Sequence, residues 1–230
     1  VKAQADSKRT LPAPGGGPRI VVVGLGSEQS DEDLRRAAGA GVRHAASLAE
    51  NGGLSVAVSL GTAGSRQLAA VAEGALLGSY NYEPISTDAA KGGAVGAITV
   101  IQPSDAKGAD VTAAAETVAQ AVVTVREWVN TPANLLYPES FAEQVRNLVL
   151  NSNITVDVLD ETALSEGGYG GLMAVGGGSY RPPRLVRLSY SPRGAKFHLA
   201  LIGKGITFDS GGLNLKPAEG MYTMRCDMAG

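Results

Sequence analysis

The chain has 230 residues, 44% of them hydrophobic, and 20 Lys and Arg stand against 22 Asp and Glu. That length holds one large or two modest domains with a buried core, and the balanced charge excludes the basic excess of a nucleic-acid binder. A single cysteine excludes an internal disulfide framework and fits a reducing, cytoplasmic setting, and no apolar run approaches the ~18 residues of a membrane span.

Residues 1–19 lack the apolar centre of a secretory leader and are expected to be a flexible lead-in. Residues 19–26 (RIVVVGLG) form a continuous apolar run ending in glycine, the pattern of a buried strand. Ser30 followed by Asp31, Glu32 and Asp33 predicts a capped helix start. That helix should run to about Glu50, ended by Asn51, Gly52 and Gly53. The GLGS turn sits where a dinucleotide loop would, but Gln29 replaces the third glycine, so an ordinary strand-to-helix turn is the simpler reading.

Residues 55–61 predict a second strand, residues 65–77 a helix prolonged by GALLGSY, and residues 94–101 a third strand. Residues 81–93 are polar and irregular. Strands alternating with helices predict an α/β layer with mostly parallel pairing. Residues 110–129 form a long helical pattern ended by Asn130, Thr131 and Pro132. A domain boundary is expected there, dividing 1–130 from 131–230.

Pro138, Glu139 and Ser140 start a helix to about Leu150. Residues 154–159 alternate as a strand, and residues 161–166 form a short helix. Residues 167–178 are glycine-dense, which suits either close approach to a ligand or a tight connection to the next strand. Residues 184–190 and 196–204 predict two strands joined by a Ser-Pro-Arg-Gly turn. Arg181, Arg184, Arg187 and Arg193 suit solvated edge charges. The two histidines, His44 in a helix and His198 in the last strand, suit structural roles, which removes triads and His-rich zinc sites.

The chemistry concentrates in residues 201–230. Lys204 ends a predicted buried strand between Gly203 and Gly205, where low dielectric favours a neutral amine able to ligate a metal. Gly211 and Gly212 permit a turn that folds Asp209 back towards Lys204. Asp227 lies among apolar residues, a costly place unless it is paired or metal-bound. Lys216 is a candidate cation for an oxyanion. An amine and two carboxylates suit Zn²⁺, Mn²⁺ or Mg²⁺, although two Lys–Asp ion pairs would use the same residues. Ser210 lacks the first glycine of a nucleophile elbow, because Phe208 stands there. Gly203-Lys204 lacks the earlier glycine of a phosphate loop. Cys226 has no nearby base and is expected to be a buried small side chain.

The string GKGITFDSGGLNLKPAEGMYTMRCDMAG resembles the metal-binding core of the leucyl aminopeptidase family of dinuclear cytosolic peptidases. REWVNTPANLLYPESFA and GGYGGLMAVGGGSYRPPRLVRLSY resemble that family's entry to its catalytic domain and its glycine-rich loop. The resemblance implies an α/β fold: a small N-terminal α/β domain, then the first part of a mixed-sheet catalytic domain. It implies hydrolysis of leucine-like N-terminal residues from peptides with two divalent ions, Mn²⁺ or Zn²⁺, per subunit of a homohexamer.

By that resemblance, Lys204 and Asp227 would hold one ion and Asp209 would bridge both. Lys216 would polarise the substrate carbonyl, and Met224 would line the pocket for the first side chain. With the metals binding the substrate's free amino group, these five residues would form the substrate site. The family's further Asp, Glu and Arg segment does not occur within these residues. Two carboxylates offset only half the charge of two divalent ions, so the chain is expected to be the front part of a longer enzyme. The competing readings are a non-catalytic homologue with a structural or DNA-associated scaffold role, and a nucleotide-binding α/β domain.

Overall fold

The computed structural model describes residues 4–27, 29–49, 53–83, 94–102 and 108–230, and the chain divides into two compact units, Val1–Arg126 and Glu127–Gly230. The first unit runs β1 (Lys8–Leu11), a short 3₁₀ turn, β2 (Ile20–Val23), α1 (Asp31–Ser47), β3 (Leu54–Val58), α2 (Ser65–Ser79) and β4 (Val95–Val100). α3 (Gly108–Asn130) begins in this unit and ends in the second.

α1 starts where its sequence dictates. Ser30 Oγ accepts from the Asp33 amide at 3.2 Å, and Asp33 Oδ2 accepts from the Ser30 amide at 3.1 Å, a reciprocal capping box. The expected end of this helix at residues 50–52 lies outside the described residues, as does most of the irregular stretch 81–93; the ordered helix ends at Ser47. The core of the unit joins Leu34, Ala38 and Val42 of α1 to Val71 and Ala75 of α2 and Val58 of β3. Small residues let α1 and α2 touch backbone to backbone. A Cβ on Gly74 would lie 2.0 Å from Arg35 O, and one on Gly78 would lie 2.4 Å from Gly39 O.

Two expectations for this unit are corrected. The stretch read as a flexible lead-in contains β1, which pairs antiparallel with β2 from Lys8↔Val23 to Leu11↔Ile20. Thr10 Oγ1 lies 3.0 Å from His44 Nε2, tying β1 to α1, so His44 has a structural partner. Pairing is also less parallel than expected. β3 and β4 pair parallel, whereas β1–β2 is an antiparallel pair of its own. Between β2, β3 and α1 lies an apolar cavity of about 800 Å³, lined by residues of this unit alone.

The Gly24-Leu25-Gly26 turn is a packing device. The Gly24 amide donates to Ser7 O at 2.8 Å, and a Cβ on Gly24 would sit 2.2 Å from Gln4 O. Three acids fill the first turn of α1, where a phosphate would have to bind.

The second unit contains α4 (Pro138–Leu148), β5 (Thr155–Leu159), α5 (Glu161–Glu166), α6 (Gly170–Gly176), β6 (Leu185–Ser189), α7 (Ala218–Thr223) and a 3₁₀ helix (Met224–Ala229). Trp128, at the end of α3, packs edge-on against Phe141 of α4 with ring centroids 4.8 Å apart. β5 and β6 pair antiparallel, with Asp157 opposite Arg187 and bound to it at 2.8 Å. Arg184 pairs with Glu161, and Arg181 stacks 3.5 Å above the Tyr137 ring, so these arginines are anchored rather than simply solvated.

The glycine-dense stretch encloses α6, a two-turn helix, where a loop was expected. The larger correction concerns residues 196–204, which form no strand. Strands persist by pairing, and among the described residues nothing pairs with this segment, so Phe197, Leu199, Leu201 and Ile202 are exposed. His198 is exposed with them.

Candidate metal centre

Four charged side chains meet in two pairs, and the loop of residues 209–216 makes one of them. Gly211 has φ +101° and Gly212 φ +76°, left-handed conformations that cost glycine nothing. They reverse the chain so that the Lys216 amide donates to Ser210 O at 2.9 Å. Asp209 closes the turn from within, accepting at Oδ1 from the Gly211 amide at 2.8 Å. Lys216 Nζ then donates to Asp209 Oδ2 at 2.8 Å and to Asp209 O at 3.3 Å. Both carboxylate oxygens of Asp209 therefore have donors within the loop.

These contacts hold the Asp209 carboxyl below its ordinary value. The Lys216 hydrogen bond is the largest cause, followed by the Gly211 amide; the charges of Lys216 and Lys204 add to it. The carboxylate is thus ionised at neutral pH.

The second pair is looser. Lys204 Nζ lies 3.9 Å from Asp227 Oδ1, and the two side chains are 46% and 39% exposed. Asp227 is carried by the 3₁₀ helix, which Met228, 3% exposed, anchors from the next position. Gly230 packs against the Lys204 segment so closely that a Cβ on Gly203 would lie 2.2 Å from Gly230 O. Arg225, in the same 3₁₀ helix, reaches Asn130 O at 3.5 Å. Met224 opens that helix and is half-buried.

The structure corrects the sequence reading in three places. Asp209 folds onto Lys216, whereas Lys204 was expected; Lys204 reaches it only through its charge. Lys204 stands half-exposed, outside the low-dielectric setting that was to favour its neutral form. Cys226 is exposed. Gly211 was read as a turn-former and Gly203 only as a neighbour of Lys204; their tight contacts are legible only in three dimensions.

Among the described residues, no three His, Cys, Asp or Glu side chains are grouped to hold a metal ion. The available donors are the Asp209 and Asp227 carboxylates and the Lys204 amine. By chemistry they fit one divalent cation of hard or borderline character, with fewer carboxylates than two such ions require. In the structure Asp209 and Asp227 are each paired with a lysine, the alternative use of these residues that the sequence left open.

Comparison with known proteins agrees along the whole chain. Residues 1–89 match the N-terminal domain of the cytosol aminopeptidase family, and residues 123–230 match its catalytic domain. A protein of Cutibacterium acnes described as a "probable cytosol aminopeptidase" is 51% identical over 224 residues, 96% of this chain and 44% of that protein. Among solved structures, the bottromycin maturation enzyme BotP in complex with Mn aligns with a TM-score of 0.81 and 34% identity, covering 99% of this chain and 48% of that one. A mutant tomato leucine aminopeptidase aligns with a TM-score of 0.78 and 28% identity, over 99% of this chain and 45% of that one. The chain thus spans about half the length of the relatives it matches.

Proposed function

Because the chain belongs to the cytosol aminopeptidase family, matched in both its N-terminal and its catalytic domain, we propose that its protein is a metal-dependent aminopeptidase. It would release leucine-like N-terminal residues from peptides in the cytoplasm, with residues 131–230 contributing to catalysis and residues 1–130 forming the N-terminal domain. The observation that supports this best is the match of residues 123–230, which include Lys204, Asp209, Lys216 and Asp227, to the family's catalytic domain.

Lys204, Asp209 and Asp227 would hold a divalent cation, Mn²⁺ or Zn²⁺; the second ion per subunit that the family resemblance implies would need more carboxylates than these residues supply. Such an ion, when bound, supplies Lewis acidity towards a carbonyl and a water molecule. The residues of the chain do the rest. The Asp209 carboxylate stays ionised because two donors stabilise its charged form. The Lys216 ammonium, carried on the same loop, supplies positive charge to a carbonyl oxygen as it gains negative charge. Met224 presents a flexible apolar side chain suited to leucine-like groups. Among the residues of this chain, the substrate site would comprise Lys204, Asp209, Lys216, Met224 and Asp227, in subunits assembled as a homohexamer.

The test is hydrolysis of a leucyl amide by the purified protein with added Mn²⁺ or Zn²⁺. Release of leucine that chelator abolishes and metal restores is expected. No metal-dependent release would overturn the reading. An intact-mass measurement on the same preparation identifies the length of chain that carries the activity.

A further inference from the structure

The loop of residues 209–216 gives each carboxylate oxygen of Asp209 a donor from within and leaves the side chain partly exposed. Gly211 N–H occupies Oδ1 at 2.8 Å and the Lys216 ammonium occupies Oδ2 at 2.8 Å. The backbone bond from Lys216 to Ser210 O and the two left-handed glycines hold this closed form. Lys216 therefore holds an oxygen that an incoming cation needs. We propose that the Asp209–Lys216 pair is a cation-exchange latch: Lys216 neutralises Asp209 until a divalent cation binds there and ejects it, and ejection frees the ammonium for substrate.

The inference rests on the reading of Asp209 as a metal ligand and adds a coupling to it. Two cations competing for one carboxylate are linked reciprocally, so each weakens the other by the same factor. Cation binding then favours a free Lys216 by the same factor, so the loop presents its substrate-facing charge more often when the cation is in place. The pair is partly exposed, with side chains 27% and 42% accessible. Exposed pairs are weak, so the competition should amount to about a 5-fold change in cation affinity. A modest latch is reversible at ordinary cation concentrations.

The test uses Mn²⁺ and two readouts other than turnover. Water-proton relaxation measures Mn²⁺ binding to the wild-type protein, Lys216→Met and Lys216→Arg. Amine acetylation, read by mass spectrometry, measures the reactivity of the Lys216 ammonium with and without Mn²⁺. The latch requires Lys216→Met to bind Mn²⁺ about 5-fold more tightly and Lys216→Arg to stay near wild type. It also requires Mn²⁺ to raise acetylation at Lys216 and leave Lys196 unchanged, and Asp209→Asn to make Lys216 reactive without Mn²⁺. If Mn²⁺ binds the wild type but acetylation of Lys216 does not rise, or Lys216→Met binds no more tightly, the latch is wrong and the metal reading stands. If no form binds Mn²⁺, both fall together. Circular dichroism of each variant confirms that a folded protein is being compared.

Discussion

The Lys216 ammonium lies 2.8 Å from Asp209 Oδ2, across a loop whose backbone reverses at two left-handed glycines. The contact exists only because the chain turns that sharply. A Cβ on Gly211 would stand 2.4 Å from Asn214 O, and φ at that position is +101°. Gly211→Ala should therefore open the loop and part the two side chains. Displacement of a positioned charge by ~1 Å can cost about 100-fold in rate. The expected outcome is a loss of that order in kcat/KM on a leucyl amide, with little change in melting temperature. An unimpaired variant would show that the sharp turn at Gly211 does not position Asp209 and Lys216 for the reaction.

Gly74 tests the packing of the first unit in the same way. Its missing side chain lets α2 rest on the Arg35 carbonyl of α1, 2.0 Å from where a Cβ would be. Gly74→Ala forces the helices apart and should cost about 1–3 kcal/mol, as overpacking does. Gly171 in α6 is the control, because nothing lies within 4 Å of its Cβ position. There alanine should be neutral or stabilise by about 0.5–1 kcal/mol. Urea denaturation of the two variants decides the matter, and equal midpoints would contradict the helix contact.

What the sequence revealed and what it concealed follow from range. α1 was legible because its signal is local: a hydroxyl and a carboxylate three residues apart satisfy each other's amides. β5 was legible from its alternation, and α5 formed over the expected residues, its start capped by Asp160, whose Oδ1 accepts from the Ala163 amide. β1 was hidden, since Lys8 to Leu11 carries no apolar pattern and becomes a strand only through the register it shares with β2. Residues 196–204 erred in the opposite direction, with a strand-like pattern and no partner among the described residues. The site divides similarly. Lys204, Asp209, Lys216 and Asp227 stood out by their concentration in residues 201–230, and the resemblance of that string to the family's metal-binding core joined them as a set. Which lysine faces which aspartate was not legible, because the φ of Gly211 decides it.

The capping box carries a pH signature. Asp33 lies below its ordinary carboxyl value, chiefly through the Ser30 side-chain hydrogen bond and then the Ser30 backbone bond. A group lowered on folding binds its proton more readily in the unfolded chain. Its stabilisation is therefore complete above the unfolded value near 3.8 and is lost as pH falls through the folded value. Wild type should exceed Asp33→Asn in urea midpoint by a constant margin from about pH 7 to about pH 5. The margin should shrink below about pH 4. A margin that grew on acidification would show the sign to be wrong.

Asp227 separates function from stability most directly. Its contact with Lys204 is 3.9 Å long and both side chains are more than a third exposed. Such a pair contributes about 0–1 kcal/mol, too little to account for a carboxylate set among Cys226 and Met228. The second unit is secured instead by buried apolar side chains, such as Met228 in the same 3₁₀ helix and Leu164 in α5. Leu164→Ala should cost about 2–5 kcal/mol through the cavity it leaves. Asp227→Asn should cost less than about 1 kcal/mol yet weaken Mn²⁺ binding at least about 10-fold. Thermal denaturation and water-proton relaxation on the same samples read both quantities. If Asp227→Asn unfolds the protein as readily as Leu164→Ala and leaves Mn²⁺ affinity intact, Asp227 is a structural residue and the centre must be built without it.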